Sequence, residues 1–262
     1  MKIMSEVYWK CGKRAVNEDS VILQQVMTAN GRMLLAAVSD GIGGLAEGQN
    51  ASGYILERLV ENFYNEILML AAKKRGRNAL KRSMLRCFFS MNVELNHYAK
   101  SRDIKLGATI SVLLIWKHFY MIFHLGDSRI YLYRKTLYGK NEFGKYEFGK
   151  NQIRLLTQDH SDGGHGLTKC MGSFPVQYPD ISMGKIGGIG RIGRIGRKSG
   201  FLLCTDGFYR GLFMEDTRHI LAPSDIACED QIKRRLNELG ELSTKQYGHD
   251  NLTAVYVLAH TE

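Results

Sequence analysis

Apolar runs and apolar stripes divide this chain into two textures. Met33-Leu34-Leu35-Ala36-Ala37-Val38 and Phe201-Leu202-Leu203-Cys204 are unbroken, and Leu252 to Leu258 is a third run of β type. Runs of that length, bounded by turn residues, read as buried strands. Between them the period changes. Ala51, Ile55, Leu59 and Phe63 recur at helical spacing, as do Leu80, Met84, Phe88, Met91, Leu95 and Tyr98, which predicts two amphipathic helices with these residues facing the core. The polar, basic stretch Lys73 to Asn78 is the expected connection. Ser5 to Asn30 reads as two short strands around a Gly-Lys-Arg turn, and Gly31-Arg32 turns into the Met33 strand. From Gly107 the strand texture returns: Gly107 to Trp116, Phe119 to His124, and Arg129 to Tyr133, with Gly126-Asp127-Ser128 as a tight turn before the last. Ser224 is placed to cap a final helix whose Ile232, Leu236 and Leu239 face inward. Strands, two helices, more strands, a helix and a strand, with short turns between successive strands, predict mainly antiparallel sheets covered by helices.

Composition narrows this. At 262 residues, 44% hydrophobic and with three prolines, the chain fits one large domain or two small ones with ample core, and a single domain over residues 1–262 is expected. Nothing approaches the roughly 18 apolar residues of a membrane span. Met1 to Glu6 lacks the charged-then-apolar layout of a secretory signal. The five cysteines (Cys11, Cys87, Cys170, Cys204, Cys228) are odd in number and form no CxxC pair, so reduced thiols in a cytoplasmic protein are expected rather than a disulfide framework or a zinc ribbon. The net charge of +10, with clusters at Lys73-Lys74-Arg75 and Lys233-Arg234-Arg235, fits equally a solvated surface rich in lysine and arginine and an anionic partner, either a phosphorylated protein or nucleic acid. Two segments are repetitive. Glu142 to Tyr146 is nearly repeated by Glu147 to Asn151, read as an extended hairpin. Ile-Gly-Arg triplets run from Ile189 to Arg197, read as a mobile basic loop; contact with RNA or an acidic partner is the alternative for that loop.

The chemistry lies in acidic islands at the ends of the apolar runs: Asn17-Glu18-Asp19, Asp40-Gly41-Ile42-Gly43-Gly44, Thr205-Asp206-Gly207 and His249-Asp250-Asn251. An ionised carboxylate at the tip of a buried strand is costly unless it pairs or binds a cation. Hard divalent ions take oxygen ligands, and Mg²⁺ keeps several waters, so a few carboxylates and a carbonyl suffice. Asp40, Asp206, Asp250 and the Gly41 carbonyl fit that recipe. Two such ions about 4 Å apart can share a water and lower its pKa for attack on phosphorus. Arg14 is the natural group for the phosphate oxygens, because its planar fork donates in pairs.

In order and over nearly the whole chain, seven blocks resemble those of the metal-dependent serine/threonine protein phosphatases of the PPM (PP2C-like) family, in its compact bacterial form. They are Arg14 to Asp19, Asp40 to Gly44, Gly107 to Thr109, Gly126 to Arg129, Leu156 to Ser161, Leu203 to Gly207 and Asp250 to Thr253. The resemblance implies an α+β, four-layer αββα sandwich, two mainly antiparallel β-sheets flanked by helices, with a binuclear Mn²⁺ or Mg²⁺ centre between the sheets. It implies that Asp40 bridges both ions, that the Gly41 carbonyl binds one, and that Asp206 and Asp250 complete the other. Glu18 and Asp19 would hold metal-bound waters and Arg14 the substrate phosphate. Asp127 would join Asp206 at a weaker third metal site. A hydroxide bridging the ions would then attack phosphoserine or phosphothreonine directly. The implied partners are phosphorylated proteins, those of a cognate serine/threonine kinase, sometimes beside bacterial secretion machinery. No membrane or nucleic-acid partner is expected, and the chain is expected to be a monomer.

Three departures stand out. Ile42 occupies the position where many eukaryotic members carry a proton-donating histidine; His249 is a candidate substitute, although a plain strand-end histidine is the preferred reading. Ser161 to Pro179, with Gly163-Gly164 and Gly166, stands where relatives have a variable flap. The Ile-Gly-Arg run stands where relatives have ordinary strand and turn sequence. Asp159 and His160 read as a structural hydrogen-bonding corner. A Ser-His-Asp hydrolase lacks a GxSxG elbow, and His160 with His165 lacks an HExxH helix for zinc. The competing functions are a catalytically weak phosphoprotein-binding relative and a nucleic-acid-binding protein.

Overall fold

The structure is a computed structural model that describes residues 1–42, 47–135, 138–140, 146–148, 151–163, 166–187 and 198–261. Its strands are β1 (Lys2–Lys10), β2 (Asp19–Thr28), β3 (Gly31–Asp40), β4 (Ile110–Trp116), β5 (Phe119–Leu125), β6 (Arg129–Lys135), β7 (Tyr138–Lys140), β8 (Tyr146–Phe148), β9 (Asn151–Leu155), β10 (Asp180–Lys185), β11 (Lys198–Cys204) and β12 (Leu252–His260). Helices are α1 (Gly48–Asn62), α2 (Leu68–Ala72), α3 (Arg77–Arg102), α4 (Asp206–Tyr209), α5 (Met214–Ile220) and α6 (Glu229–Gln246). Two five-stranded sheets, ordered β1-β12-β11-β6-β9 and β10-β5-β4-β3-β2, stack face to face, and their neighbouring strands are antiparallel.

Side-chain parity explains the layers. In β3, Met33, Leu35 and Ala37 pack under α1 and α3 beside Ile55, Leu59, Phe88 and Met91. Leu34, Ala36 and Val38 alternate to the other face and meet Phe201, Leu203, Val255 and Val257 of the opposite sheet. Both faces are covered, so the run carries no polar alternation. Beyond the second sheet, Leu202, Ala254 and Tyr256 pack against Ile232, Leu236 and Leu239 of α6. Three apolar interfaces thus separate four layers, the αββα order that the resemblance implied. Tyr120 of β5 meets Phe201 of β11 edge-on, with centroids 5.0 Å apart, across the sheet-to-sheet interface.

The stripe of α1 continues past Phe63 to Ile67 and Ala71, all buried. A strict four-residue repeat drifts by about 40° per step on an α-helix of 3.6 residues per turn. The π-helical turn Phe63–Ile67 between α1 and α2 unwinds that drift and keeps the stripe on the sheet.

Several expectations need correction. The strands around Gly12-Lys13-Arg14 are long, nine and ten residues. They also belong to different sheets, since β1 pairs with β12 and β2 with β3, so the turn carries the chain between layers. Regular pairing in β4 begins at Ile110; Ala108 instead bridges Gly41 and Met171. Tyr98 is 36% exposed rather than inward, and its hydroxyl donates to Glu47 Oε2 at 2.7 Å. Ser224 does not cap α6. Pro223-Ser224-Asp225 closes a separate 3-10 turn, and α6 begins at Glu229 after Cys228. Its first turn carries Glu229 and Asp230, which suit the positive helix end, and Gln231 Oε1 accepts from the Ala227 N–H at 2.7 Å. Of the near-repeat at Glu142 to Asn151, only Tyr146–Phe148 and Asn151 are described: β8 pairs antiparallel with β7, which precedes the repeat, and Asn151 opens β9 beside β6. Gly43, Gly44, Gly164, His165 and the Ile-Gly-Arg run from Ile189 to Arg197 lie outside the described residues.

Candidate metal centre

Antiparallel pairing gathers the acidic islands at one end of the sandwich. Asp40 ends β3, and Asp19, which begins β2, is its cross-strand partner. Cys204 ends β11 opposite Ala254 of β12, so Asp206, opening α4, and Asp250, just before β12, arrive together. Asp127 sits where the chain crosses from β5 in one sheet to β6 in the other. A cavity of about 430 Å³ results, with Arg14, Glu18, Asp40, Asp127, Asp206 and Asp250 in its wall. Glycine follows two of these acids because the chain passes too close for a side chain. A Cβ on Gly41 would overlap the carbonyl oxygen of Gly48, and one on Gly207 that of Asn251.

Neutral polar groups fix the frame. The Asn251 amide accepts from the Glu18 N–H at 2.9 Å and donates to the Cys11 and Val16 carbonyls at 2.9 and 3.0 Å. One side chain therefore ties the Arg14 loop to the Asp250 turn. The Asp40 N–H donates to Thr109 Oγ1 at 3.0 Å, and Gly41 N–H donates to the Glu18 carbonyl at 3.1 Å. Thr205 and Thr253 both donate to Asp19 Oδ2, at 2.8 and 2.6 Å.

Electrostatics shows what the frame is short of. Asp19 is buried, and its Oδ1 has no hydrogen-bond partner. Burial first, opposed by the two threonine bonds, and then the charges of Asp206 and Asp250 push its carboxyl up to about 7. Burial and the charges of Asp19, Asp206, Asp250 and Asp127 likewise hold Asp40 well above the carboxylate range. Burial and Asp206 push Asp127 up to about 6, against the opposite pull of Arg210. Carboxylates crowded in a poorly hydrated space resist ionising together unless cations join them. Two arginines supply part of that charge: Arg14 Nη2 lies 3.1 Å from Asp250 Oδ1, and Arg210 Nη2 lies 3.0 Å from Asp206 Oδ2 and 3.5 Å from Asp127 Oδ2. With these arms engaged, no three acidic, imidazole or thiol groups among the described residues close around a single point. The donor set, all hard oxygen with one buried oxygen unsatisfied, fits Mn²⁺ or Mg²⁺.

The structure therefore brings together Arg14, Glu18, Asp40, Gly41, Asp127, Asp206 and Asp250 on one cavity, with Asp19 buried behind Asp40. His249 also lines it; its imidazole is exposed against Tyr247, and its carbonyl accepts from Arg14 Nε at 3.1 Å. Sequence reasoning missed Arg210 and Tyr247 in the wall. Arg210 carried a signal, since Asp206 and Arg210 are four apart and open a helix; Tyr247 carried none. Asp159 and His160 form the expected corner. Asp159 is clasped by Arg129, Nε to Oδ1 at 3.0 Å and Nη2 to Oδ2 at 2.7 Å, and His160 bridges the Gly126 N–H and Asp180. Ser111 and His124 do pair, Oγ to Nδ1 at 2.8 Å, but both are buried and meet no substrate. Burial and the neighbouring His160 push His124 down to about 4, so it is neutral.

Comparison with curated protein sequences finds no match. Among solved structures the chain is similar to a bacterial serine phosphatase, at 20% identity over 99% of both chains with a TM-score of 0.76. It is also similar to PppA, a regulatory component of T6SS in Pseudomonas aeruginosa, at 20% identity over 98% of this chain and 97% of that one, TM-score 0.70. A third is the catalytic domain of the serine threonine protein phosphatase PstP in complex with two manganese ions, at 22% identity over 99% of both chains, TM-score 0.66. At such identities these likenesses speak for the fold. The family follows from the sequence itself, whose residues 11–242 match the profile of protein phosphatase 2C: the chain belongs to the protein phosphatase 2C family.

Proposed function

We propose that this protein hydrolyses phosphoserine and phosphothreonine in other proteins, using two divalent ions, Mn²⁺ or Mg²⁺, held by Asp40, the Gly41 carbonyl, Asp206 and Asp250. The observation that carries this is the crowding of raised-pKa carboxylates around one cavity, with Asp19 Oδ1 buried and unpartnered among them. Bound there, the ions would supply Lewis acidity, lowering the pKa of an attacking water and offsetting the phosphate charge. The protein's own groups do the rest. Arg14 spends Nε on the His249 carbonyl and one Nη2 hydrogen on Asp250. The end of its fork, Nη1 and the second Nη2 hydrogen, then suits two phosphate oxygens. Asp19, held by Thr205 and Thr253, keeps Oδ1 to accept a hydrogen bond from water, and Glu18 stands beside Gly48 for the same task. Ile42 donates no proton, so the leaving serine or threonine oxygen takes its proton from water in the open cavity.

The substrates fitting a +10 chain are phosphoproteins, and the proposed set is that of a cognate serine/threonine kinase. That two of the similar solved structures are named as a serine and a serine threonine phosphatase, one with two manganese ions, supports the reading. The test is phosphate release from p-nitrophenyl phosphate and a phosphothreonine peptide, with Mn²⁺ or with EDTA. Release that depends on Mn²⁺, and falls to background in a folded Asp206→Asn variant, is expected. Absence of metal-dependent release from both substrates would falsify the proposal and leave a phosphoprotein-binding role.

A further inference from the structure

Arg210 is held between Asp127 and Asp206, two acids on the wall of the centre. It follows α4 directly, and its N–H donates to the Asp206 carbonyl at 2.9 Å, which turns the side chain back over Asp206. One nitrogen, Nη2, lies 3.0 Å from Asp206 Oδ2 and 3.5 Å from Asp127 Oδ2. The other, Nη1, donates to the Tyr247 hydroxyl at 3.1 Å. The Asp127 turn is fixed from behind, where the Tyr209 hydroxyl donates to its carbonyl at 3.2 Å. A divalent ion shared by Asp127 and Asp206 would need both oxygens within roughly 2.0–2.6 Å. The nitrogen already lying against both oxygens, at 3.0 and 3.5 Å, competes for that space.

Charge balance points the same way. Glu18, Asp19, Asp40, Asp127, Asp206 and Asp250 bring six negative charges to the centre when all are ionised, and Arg14 and Arg210 return two. The remaining four are what two divalent ions neutralise. A third ion at the same point would have to displace a positive charge already anchored to three partners.

We infer that the Arg210 guanidinium takes the place of a third divalent ion at the Asp127–Asp206 pair, so that the centre holds two ions and one fixed organic cation. The inference rests on the two-ion reading proposed above. Asp127 is then a partner of Arg210 rather than a metal ligand. The test counts Mn²⁺ per chain by equilibrium dialysis of the metal-stripped full chain over a wide range of free Mn²⁺, a measurement independent of turnover. Wild type is expected to saturate at two and Arg210→Met at three. The added ion is expected to be lost again when Asp127→Asn is combined with Arg210→Met. Thermal unfolding checks that the variant is folded, and Arg210→Gln serves if it is not. Three ions in the wild type, or only two in folded Arg210→Met and Arg210→Gln, would overturn the inference. No bound Mn²⁺ in the wild type at any concentration would instead overturn the metal reading itself.

Discussion

Replacing Asn251 tests whether one neutral side chain holds the two halves of the centre together. Asn251 is 4% exposed and makes three hydrogen bonds to backbone, from Glu18 N–H and to the Cys11 and Val16 carbonyls. Each such bond contributes about 0.5–1.5 kcal/mol net, so Asn251→Ala is expected to cost about 2–4 kcal/mol. In a chain of this size about 1 kcal/mol moves Tm by roughly 2–4 °C, which places the alanine variant on the order of 10 °C below wild type. Asn251→Asp is the sharper probe. It keeps the shape and the acceptor for Glu18, but turns a carboxylate oxygen toward two carbonyls, so it is expected to cost at least as much as alanine. Thermal and urea unfolding, both in EDTA so that ion binding adds nothing to the folded state, give the numbers. An aspartate variant within about 0.5 kcal/mol of wild type would refute the assignment of the Asn251 nitrogen as donor to both carbonyls, and with it the role of Asn251 as the tie.

Three further outcomes are expected. In EDTA the folded protein keeps protons on Asp19, pushed up to about 7, and Asp127, pushed up to about 6, which the unfolded chain releases near pH 4. Stability therefore falls as pH rises from about 4 to about 7; the metal-free Tm should be higher at pH 5 than at pH 8, and a flat or rising profile refutes the burial argument. Arg14→Ala, which removes a charge-assisted pair of bonds worth roughly 1.5–3 kcal/mol, is expected to lower kcat/KM by about 10- to 150-fold, and Arg14→Lys to recover little because its point charge does not fork. An Arg14→Ala enzyme with unchanged kcat/KM would remove this residue from phosphate binding. His249→Gln is expected to lose far less than the roughly 10²- to 10⁴-fold that a general acid supplies; a loss in that range, with the basic limb of the pH profile gone, would restore His249 as the proton donor.

Local burial wrote itself into the sequence, and long-range connection did not. Ile55, Leu59, Met84, Phe88, Ile232 and Leu236 are buried where their periodicity placed them, because each helix sets its own inward face. Tyr98 departs from the pattern near the end of α3, where its hydroxyl reaches Glu47 instead of the core. That β1 and β2 part into different sheets has no local signature, since either pairing would satisfy the same alternation. Ser224 has the residue type of a helix cap, but with Pro223 and Asp225 it forms a separate turn. In the centre, Asp40, Asp206 and Asp250 were legible because an acid at the tip of an apolar strand is anomalous. Asn251 stood inside an acidic island, yet its three partners lie 233 to 240 residues away and could not be read from its neighbours.

What separates the acids of the centre from the paired acids beside it is incompleteness as well as depth. Arg129 covers both oxygens of Asp159, and Asp180 gives one oxygen to His160 and the other to Lys169. Those groups are finished, and nothing further is expected to bind them. Asp19 is as deeply placed as any, yet two threonines serve one oxygen and none serves the other. An unserved buried oxygen costs about 1–3 kcal/mol, and on a carboxylate it stands where a cation or its water could serve it. Leaving it open among crowded carboxylates makes sense when the missing partner arrives from outside, as a cation with its water. On the reading proposed above, the fixed arginines would set how many cations the centre accepts, and Ile42 in the wall would leave the departing oxygen to be protonated by solvent.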